Sequence, residues 1–296
     1  MSVIASCRLC PRKCGVHRAD TGTGLCKSGA AARIARAALH LWEEPPISGE
    51  KGAGAVFFTG CALRCVYCQN REISSGKNRG KAVTPEELSA VFEALEAQGA
   101  ECIDLVTAGH FLPEIVKALE IRKPKVPVVY NSSGYETVES LRLLEGLVDV
   151  YLPDFKYTER ALAKALSHAE DYPEVCIDAI GEMVRQTGPT VYSARGVMKK
   201  GVLIRHLILP GHTGNSITVL EKIAEKFPGV PVSLMAQYTP PESFPEGKQF
   251  PELTRRITKR ELDKVQDKLF ELDLDGFVQG RSAADGRYLP DFHQFD

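Results

Sequence analysis

The chain has 296 residues, 37 Lys+Arg against 38 Asp+Glu, a formal net charge of −1 and 44% hydrophobic residues. That size and mix suit one large α/β domain or two smaller ones, and near-neutrality excludes a basic surface for nucleic acid or a polybasic membrane anchor. No run of eighteen apolar residues occurs, and MSVIASCRLC lacks the charged-then-apolar layout of a signal peptide, so a cytoplasmic location is expected. Residues 1–48 read as a Cys-rich metal-binding extension, with Cys7, Cys10, Cys14 and Cys26 among basic and small residues and no long periodic element before Pro45-Pro46. From 49 to 240, β-branched runs alternate with amphipathic stretches. Strands are predicted at 55–58, 103–107, 128–131, 148–152, 203–209 and 232–236. The helix predicted from Pro85 opens with Thr84 as N-cap and Glu87 at N3, a capping box, and carries the stripe Leu88, Val91, Phe92, Leu95. Residues 241–296 read as a C-terminal helical extension packing on the barrel, with apolar Leu262, Val265, Leu269 and Leu272 on one helix face.

Six βα units in about 185 residues fall short of the ~250 typical of a closed eight-fold barrel. The expected α/β fold is a partial, open TIM-like barrel of about six units. Ligands in such folds sit at the carboxyl ends of the strands. The unusual residues cluster there: a cysteine trio after the first strand, Thr107-Ala108-Gly109-His110 after the second, Asn131-Ser132-Ser133-Gly134 after the third, Asp154-Phe155-Lys156 after the fourth, and Gln237-Tyr238 after the sixth.

Seven of the nine cysteines fall into two groups, which in a reducing compartment read as metal ligands. Cys102 and Cys176 stand apart and read as buried hydrophobes. Cys61-x3-Cys65-x2-Cys68 is an odd trio. It suits a cubane cluster held at three irons with the fourth left open; zinc borrowing a fourth ligand from elsewhere is the alternative. Cys7-x2-Cys10-x3-Cys14-x11-Cys26 offers four thiolates to zinc or to a second [4Fe–4S] cluster.

The trio, with Tyr67 directly before Cys68 and a strand ending AVFFTG before it, resembles the signature of the radical S-adenosylmethionine (SAM) superfamily. The segments CRLCPRKCGVHR…GLC, YNSSGYE, VDVYLPDFKY, IRHLILPGHTGN and SLMAQYTP resemble, in this order, the subgroup related to pyruvate formate-lyase-activating enzyme, its PflX-type members. The resemblance implies a [4Fe–4S] cluster on Cys61, Cys65 and Cys68. The amine and carboxylate of SAM would chelate the open iron. Electron transfer from the reduced cluster would then cleave SAM to methionine and a 5′-deoxyadenosyl radical that abstracts hydrogen.

It also carries Asp154 and Lys156 over as partners of the SAM amine and carboxylate. Tyr67 is expected near adenine, and Ala108, Gly109, Asn131, Ser133, His212 and Gln237 are expected to line the cofactor. Two departures stand out. His110 occupies the place of the family's amine-binding Glu, and Gln237 stands where activating enzymes have a carboxylate-binding His; His110 and Tyr238 are therefore substrate candidates. The leading expectation is an activase that makes a glycyl radical on a partner enzyme or acts on another protein, reduced by a flavodoxin- or ferredoxin-type donor. Modification of a small molecule or peptide is the alternative within the same chemistry, and a non-catalytic iron–sulfur electron carrier the alternative from another class.

Overall fold

The computed structural model describes residues 6–18, 24–76, 80–241 and 243–279. Strand β1 (Ala32–His40) runs antiparallel to β2 (Ala53–Phe58), and the short β3 (Lys81–Val83) pairs with its other edge. From β2 the sheet continues in parallel through β4 (Ile103–Val106), β5 (Val128–Ser132) and β6 (Val150–Pro153). Beyond β6 lies β8 (Met198–Val202), itself paired antiparallel with β7 (Val191–Tyr192). A second parallel sheet holds β9 (Ile204–Leu207), β10 (Val232–Met235) and β11 (Gly276–Gln279). A parallel bridge between Asp154 and Arg205 ties β9 to the end of β6, so one sheet runs on into the next. The architecture is the expected open, partial β/α barrel, with β2, β4, β5, β6, β9 and β10 in the places of the six predicted strands.

Helices fill the crossovers. Short α1 (Pro45–Ser48) precedes β2, and α2 (Arg71–Ser74) and α3 (Pro85–Ala97) follow it. Next come α4 (Leu112–Ile121), α5 (Val138–Arg142), α6 (Arg160–Ser167) and α7 (Tyr172–Thr187). Between β9 and β11 lie α8 (Thr213–Lys226) and α9 (Lys259–Glu271). The capping box of α3 forms as predicted: the Glu87 amide donates to Thr84 Oγ1 at 3.2 Å and the Thr84 amide to Glu87 Oε2 at 2.9 Å.

Strand alternation sorts the core into two layers. Val56, Phe58, Leu105, Val128 and Tyr130 pack outward with the helices. Ala53, Cys102, Val129, Val150, Leu152 and Leu203 form a separate inner cluster together with Ile47 of α1. β1 was not foreseen. Its ARIARAALH reads as small and basic residues without alternation, yet it buries Ala32, Ile34 and Ala35 along β2.

Candidate active site

The loop after β2 carries the trio on a tight turn in which the Cys68 amide donates to Cys65 O at 3.1 Å and Arg64 takes a left-handed φ of 58°. The Val66 amide donates to Leu166 O at 2.9 Å, docking the loop on the end of α6. All three cysteines are free thiols, partly exposed, and each sulfur accepts a hydrogen bond. Leu63 N donates to Cys61 Sγ at 3.4 Å, Ser167 Oγ to Cys65 Sγ at 2.9 Å, and Ser74 Oγ to Cys68 Sγ at 3.4 Å. Burial, reinforced by the neighbouring thiols, pushes Cys61 up to about 12 and raises Cys68. Three crowded sulfurs with donors aimed at them ionise readily only when a cation shares their charge.

Across the barrel mouth, Lys156 Nζ lies 2.5 Å from Asp154 Oδ2, and Arg205 Nη2 lies 2.9 Å from Asp154 Oδ1. Burial opposes charge on both members of the Asp154–Lys156 pair. The attraction of Arg205 and Lys156 nevertheless holds Asp154 below its ordinary value, and that of Asp154 and Cys65 holds Lys156 above its own. Lys156 also acts electrostatically on Cys68. The Asp-x-Lys segment and the trio therefore form one electrostatic site although they lie about ninety residues apart in sequence.

Beneath them runs a buried polar column that the sequence did not reveal. Arg205 Nη2 donates to Asn131 Oδ1 at 2.6 Å and Nη1 to Glu43 Oε2 at 3.4 Å, while Asn131 Nδ2 reaches Asp104 Oδ2 at 3.3 Å. Lower still, Ser233 Oγ donates to Glu44 Oε2 at 2.7 Å. Only Asn131 and the Asp-x-Lys pair were foreseen. Asp104, Arg205 and Ser233 are turned inward by strand register, while Glu43 and Glu44 come from the loop between β1 and α1, and neither placement is advertised by the sequence pattern.

The remaining candidates fall in several places. Thr107 adopts φ 58°, rare for a β-branched residue. It leads Ala108 and Gly109 into a buried 3-10 turn beside the end of β5. His110 turns its ring onto Thr59 O at 2.7 Å and packs on Phe111; burial lowers its pKa to about 4. The Ser133 carbonyl lies 2.9 Å from Tyr172 Oη. Gln237 is partly buried, and its Oε1 has no hydrogen-bond partner among the described residues. His212 Nε2 meets Glu252 Oε1 at 3.1 Å, and Tyr238, wholly buried, donates to Leu253 O at 2.7 Å. Tyr67 packs edge-on against Tyr238 with its hydroxyl 2.6 Å from that of Tyr157.

In the N-terminal section Cys7, Cys10 and Cys26 are buried and Cys14 is exposed. The sulfurs of Cys14 and Cys26 flank Gly24, at 2.8 and 3.9 Å from where a Cβ there would lie. Burial, with Glu136, Cys26 and Cys7 nearby, pushes Cys10 up to about 12. Among the described residues, no three His, Cys, Asp or Glu side chains are arranged to hold a single metal ion.

The model of the radical SAM superfamily matches residues 55–223, more than half of the chain, from β2 into α8. The chain belongs to the radical SAM superfamily. Its sequence is 27% identical over 283 residues to the uncharacterized protein MJ0674 of Methanocaldococcus jannaschii, covering 93% of this chain and 77% of that one. Two of the solved structures that share the fold illustrate the likeness. A radical SAM methyltransferase from Sphaerobacter thermophilus has a TM-score of 0.50 and 14% identity, over 77% of this chain and 66% of that one. SuiB of Streptococcus suis, bound to S-adenosylmethionine, has a TM-score of 0.51 and 12% identity, over 74% of this chain and 48% of that one. The chain thus spans just under two thirds of the first and about half of the second.

The family's cofactors, a [4Fe–4S] cluster and SAM, fit the residues present. A cubane attaches each thiolate to a different iron, so the trio has no need to converge on one point. A buried acceptor just beyond the end of β10 also lacks a partner among the described residues. It is Gln237 Oε1, whereas both oxygens of Asp154 already face a cation, Lys156 and Arg205. A ligand carrying an N–H donor would satisfy Gln237, and the fixed charge of Asp154 suits an ammonium group.

Proposed function

We propose that this chain is an activase-like radical SAM enzyme whose radical abstracts hydrogen from a protein, with a glycyl radical enzyme as the leading class of partner. Cluster and SAM together supply one-electron cleavage of the sulfonium bond. Cys61, Cys65 and Cys68 hold the cluster. Asp154 takes the amine of SAM, Lys156 its carboxylate, and Asn131, Ser133, Ala108, Gly109 and Gln237 line the ligand. The observation that carries a protein substrate is the filled barrel. Asp104, Glu44 and Ser233 are at most 2% exposed and Ile47 packs in the same inner core as the strand residues, which favours a substrate that reaches the site from the rim, as a partner's loop would. We propose as well that Cys7, Cys10, Cys14 and Cys26 bind zinc or a second cluster, closing in from their present positions to do so.

The test is anaerobic. Protein reconstituted with iron and sulfide is reduced with dithionite, given SAM, and assayed for 5′-deoxyadenosine beside a Cys61→Ala/Cys65→Ala/Cys68→Ala variant. The macromolecular fraction of an anaerobic cell extract should accelerate product formation and generate a glycyl-radical EPR doublet. Acceleration by the small-molecule filtrate instead would overturn the activase reading. Iron and zinc counts in the triple variant identify what the N-terminal cysteines bind.

A further inference from the structure

A chain of buried hydroxyls ends on one of the trio's sulfurs. Tyr67 Oη lies 2.6 Å from Tyr157 Oη, Tyr157 Oη 2.7 Å from Ser167 Oγ, and Ser167 Oγ donates to Cys65 Sγ at 2.9 Å. Tyr157 and Ser167 are wholly buried and Tyr67 is 6% exposed, so water does not interrupt the sequence of bonds. Each hydroxyl owns a single proton, which fixes the direction once Cys65 is a thiolate. The sulfur can only accept, so Ser167 donates to it. Ser167 has then spent its proton and must accept from Tyr157, which must in turn accept from Tyr67. All three dipoles point toward the sulfur, the arrangement in which successive bonds polarise one another.

The fold holds the last donor in place. Ser167 is the final residue of α6, and its carbonyl accepts from Arg12 Nη2 at 3.1 Å. Leu166, one residue earlier, receives the Val66 amide from the trio loop itself. Helix end and cysteine loop are thus locked in register.

We propose that Ser167, backed by Tyr157 and Tyr67, is a positioning residue that sets the reduction potential of the cluster through Cys65. One-electron reduction adds negative charge to the cluster and its thiolates. A donor aimed at sulfur stabilises the reduced form more than the oxidised one and raises the potential. The proposal rests on the trio holding the [4Fe–4S] cluster. It also gives Tyr67 a second task, linking the aromatic face of the motif to the cluster's electronics.

The experiment is an EPR-monitored redox titration of reconstituted wild-type, Ser167→Ala, Ser167→Thr, Tyr157→Phe and Tyr67→Phe proteins, with iron and sulfide counted in each. Ser167→Ala should lower the ratio of reduced to oxidised cluster at a fixed potential by about tenfold, a negative shift of about 59 mV. Tyr157→Phe should shift it less and Tyr67→Phe least, while Ser167→Thr, which keeps the hydroxyl, should restore the wild-type value. Fully loaded Ser167→Ala with an unshifted potential overturns the proposal. So does an unshifted Tyr157→Phe should Ser167→Ala fail to load. A wild-type protein that takes up no cluster sinks the underlying reading instead, a distinct result.

Discussion

In the proposed site, Asp154 is the residue that takes the amine of SAM. Its Oδ2 is held by Lys156 and its Oδ1 lies 2.9 Å from Arg205, so the carboxylate is kept charged and fixed where a ligand ammonium would meet it. Asp154→Asn removes that charge and leaves Arg205 facing a neutral group. A charge-assisted hydrogen bond contributes about 1.5–3 kcal/mol, so SAM affinity should fall about 10- to 100-fold with iron content unchanged. Titrating the SAM-dependent change in the cluster's EPR spectrum measures this; wild-type affinity in the variant removes Asp154 from the site. Glu136 makes a separate prediction. Burial raises its carboxyl from 4.5 to about 7, even though Ser132 donates to it at 2.8 Å. The folded state therefore holds this proton more tightly than the unfolded chain does. The stability it contributes is fully present below pH 4.5 and is lost as pH rises through about 7. Glu136→Gln keeps an acceptor for Ser132 and should flatten that slope, making the variant more stable at pH 8 by up to about 3 kcal/mol. Denaturant unfolding between pH 5 and 8 decides it, and parallel slopes for the two proteins would refute the assignment.

At the scale of elements, the turn after β5 shows what was legible and what was not. The motif Asn131-Ser132-Ser133-Gly134 was readable as a strand-end site, but its glycine has a reason visible only in three dimensions. Gly134 sits at φ 75°, and a Cβ there would lie 2.3 Å from Asp154 O and 2.8 Å from Cys176 Sγ. Tyr172 of α7 completes the clamp: its hydroxyl donates to Asp154 O at 2.7 Å and accepts the Lys156 amide at 3.0 Å. Gly134→Ala should therefore displace the Asp-x-Lys main chain and weaken SAM binding well beyond its effect on stability. Thr84→Ala, which breaks only the capping box of α3, should cost about 1 kcal/mol and leave SAM binding intact. Comparing the two variants in the same binding and unfolding assays separates site from scaffold; equal binding would show that the β5 turn does not position the ligand. The capping box was legible because its signal is local, four residues long from Thr84 to Glu87. The clamp was not, because Gly134, Asp154 and Tyr172 meet only once β5, β6 and α7 are assembled. The same holds for Ser167, which is separated from Cys65 by about a hundred residues.

Over the whole molecule, the six parallel strands were legible from β-branched runs spaced by helices, and the trio from its spacing. How the N-terminal section attaches to the barrel was not, because a segment rich in small and basic residues gives no periodicity to read. In the structure Arg12 joins it to the site. Its Nε donates to Ala62 O inside the trio loop at 3.0 Å, Nη2 to Ser167 O at 3.1 Å, and Nη1 to His168 O, while the guanidinium lies 5.2 Å over the Tyr135 ring. His168 adopts φ 54° at the end of α6, leaving carbonyls free for a cation to cap. One planar fork thus fastens the cysteine loop, the helix end that carries Ser167, and the N-terminal cysteines to one another. Arg12→Ala should cost about 2 kcal/mol and lower the melting temperature by a few degrees. Because the lost bonds all surround the cluster loop, the cluster should also bleach faster under chelator or oxygen than the change in stability accounts for. Arg12→Lys keeps the charge but not the fork, so it should rescue neither property fully. Bleaching rates followed at 400 nm beside the melting curve test this. If Arg12→Ala keeps wild-type bleaching, or Arg12→Lys restores it completely, the N-terminal section does not support the cluster through Arg12.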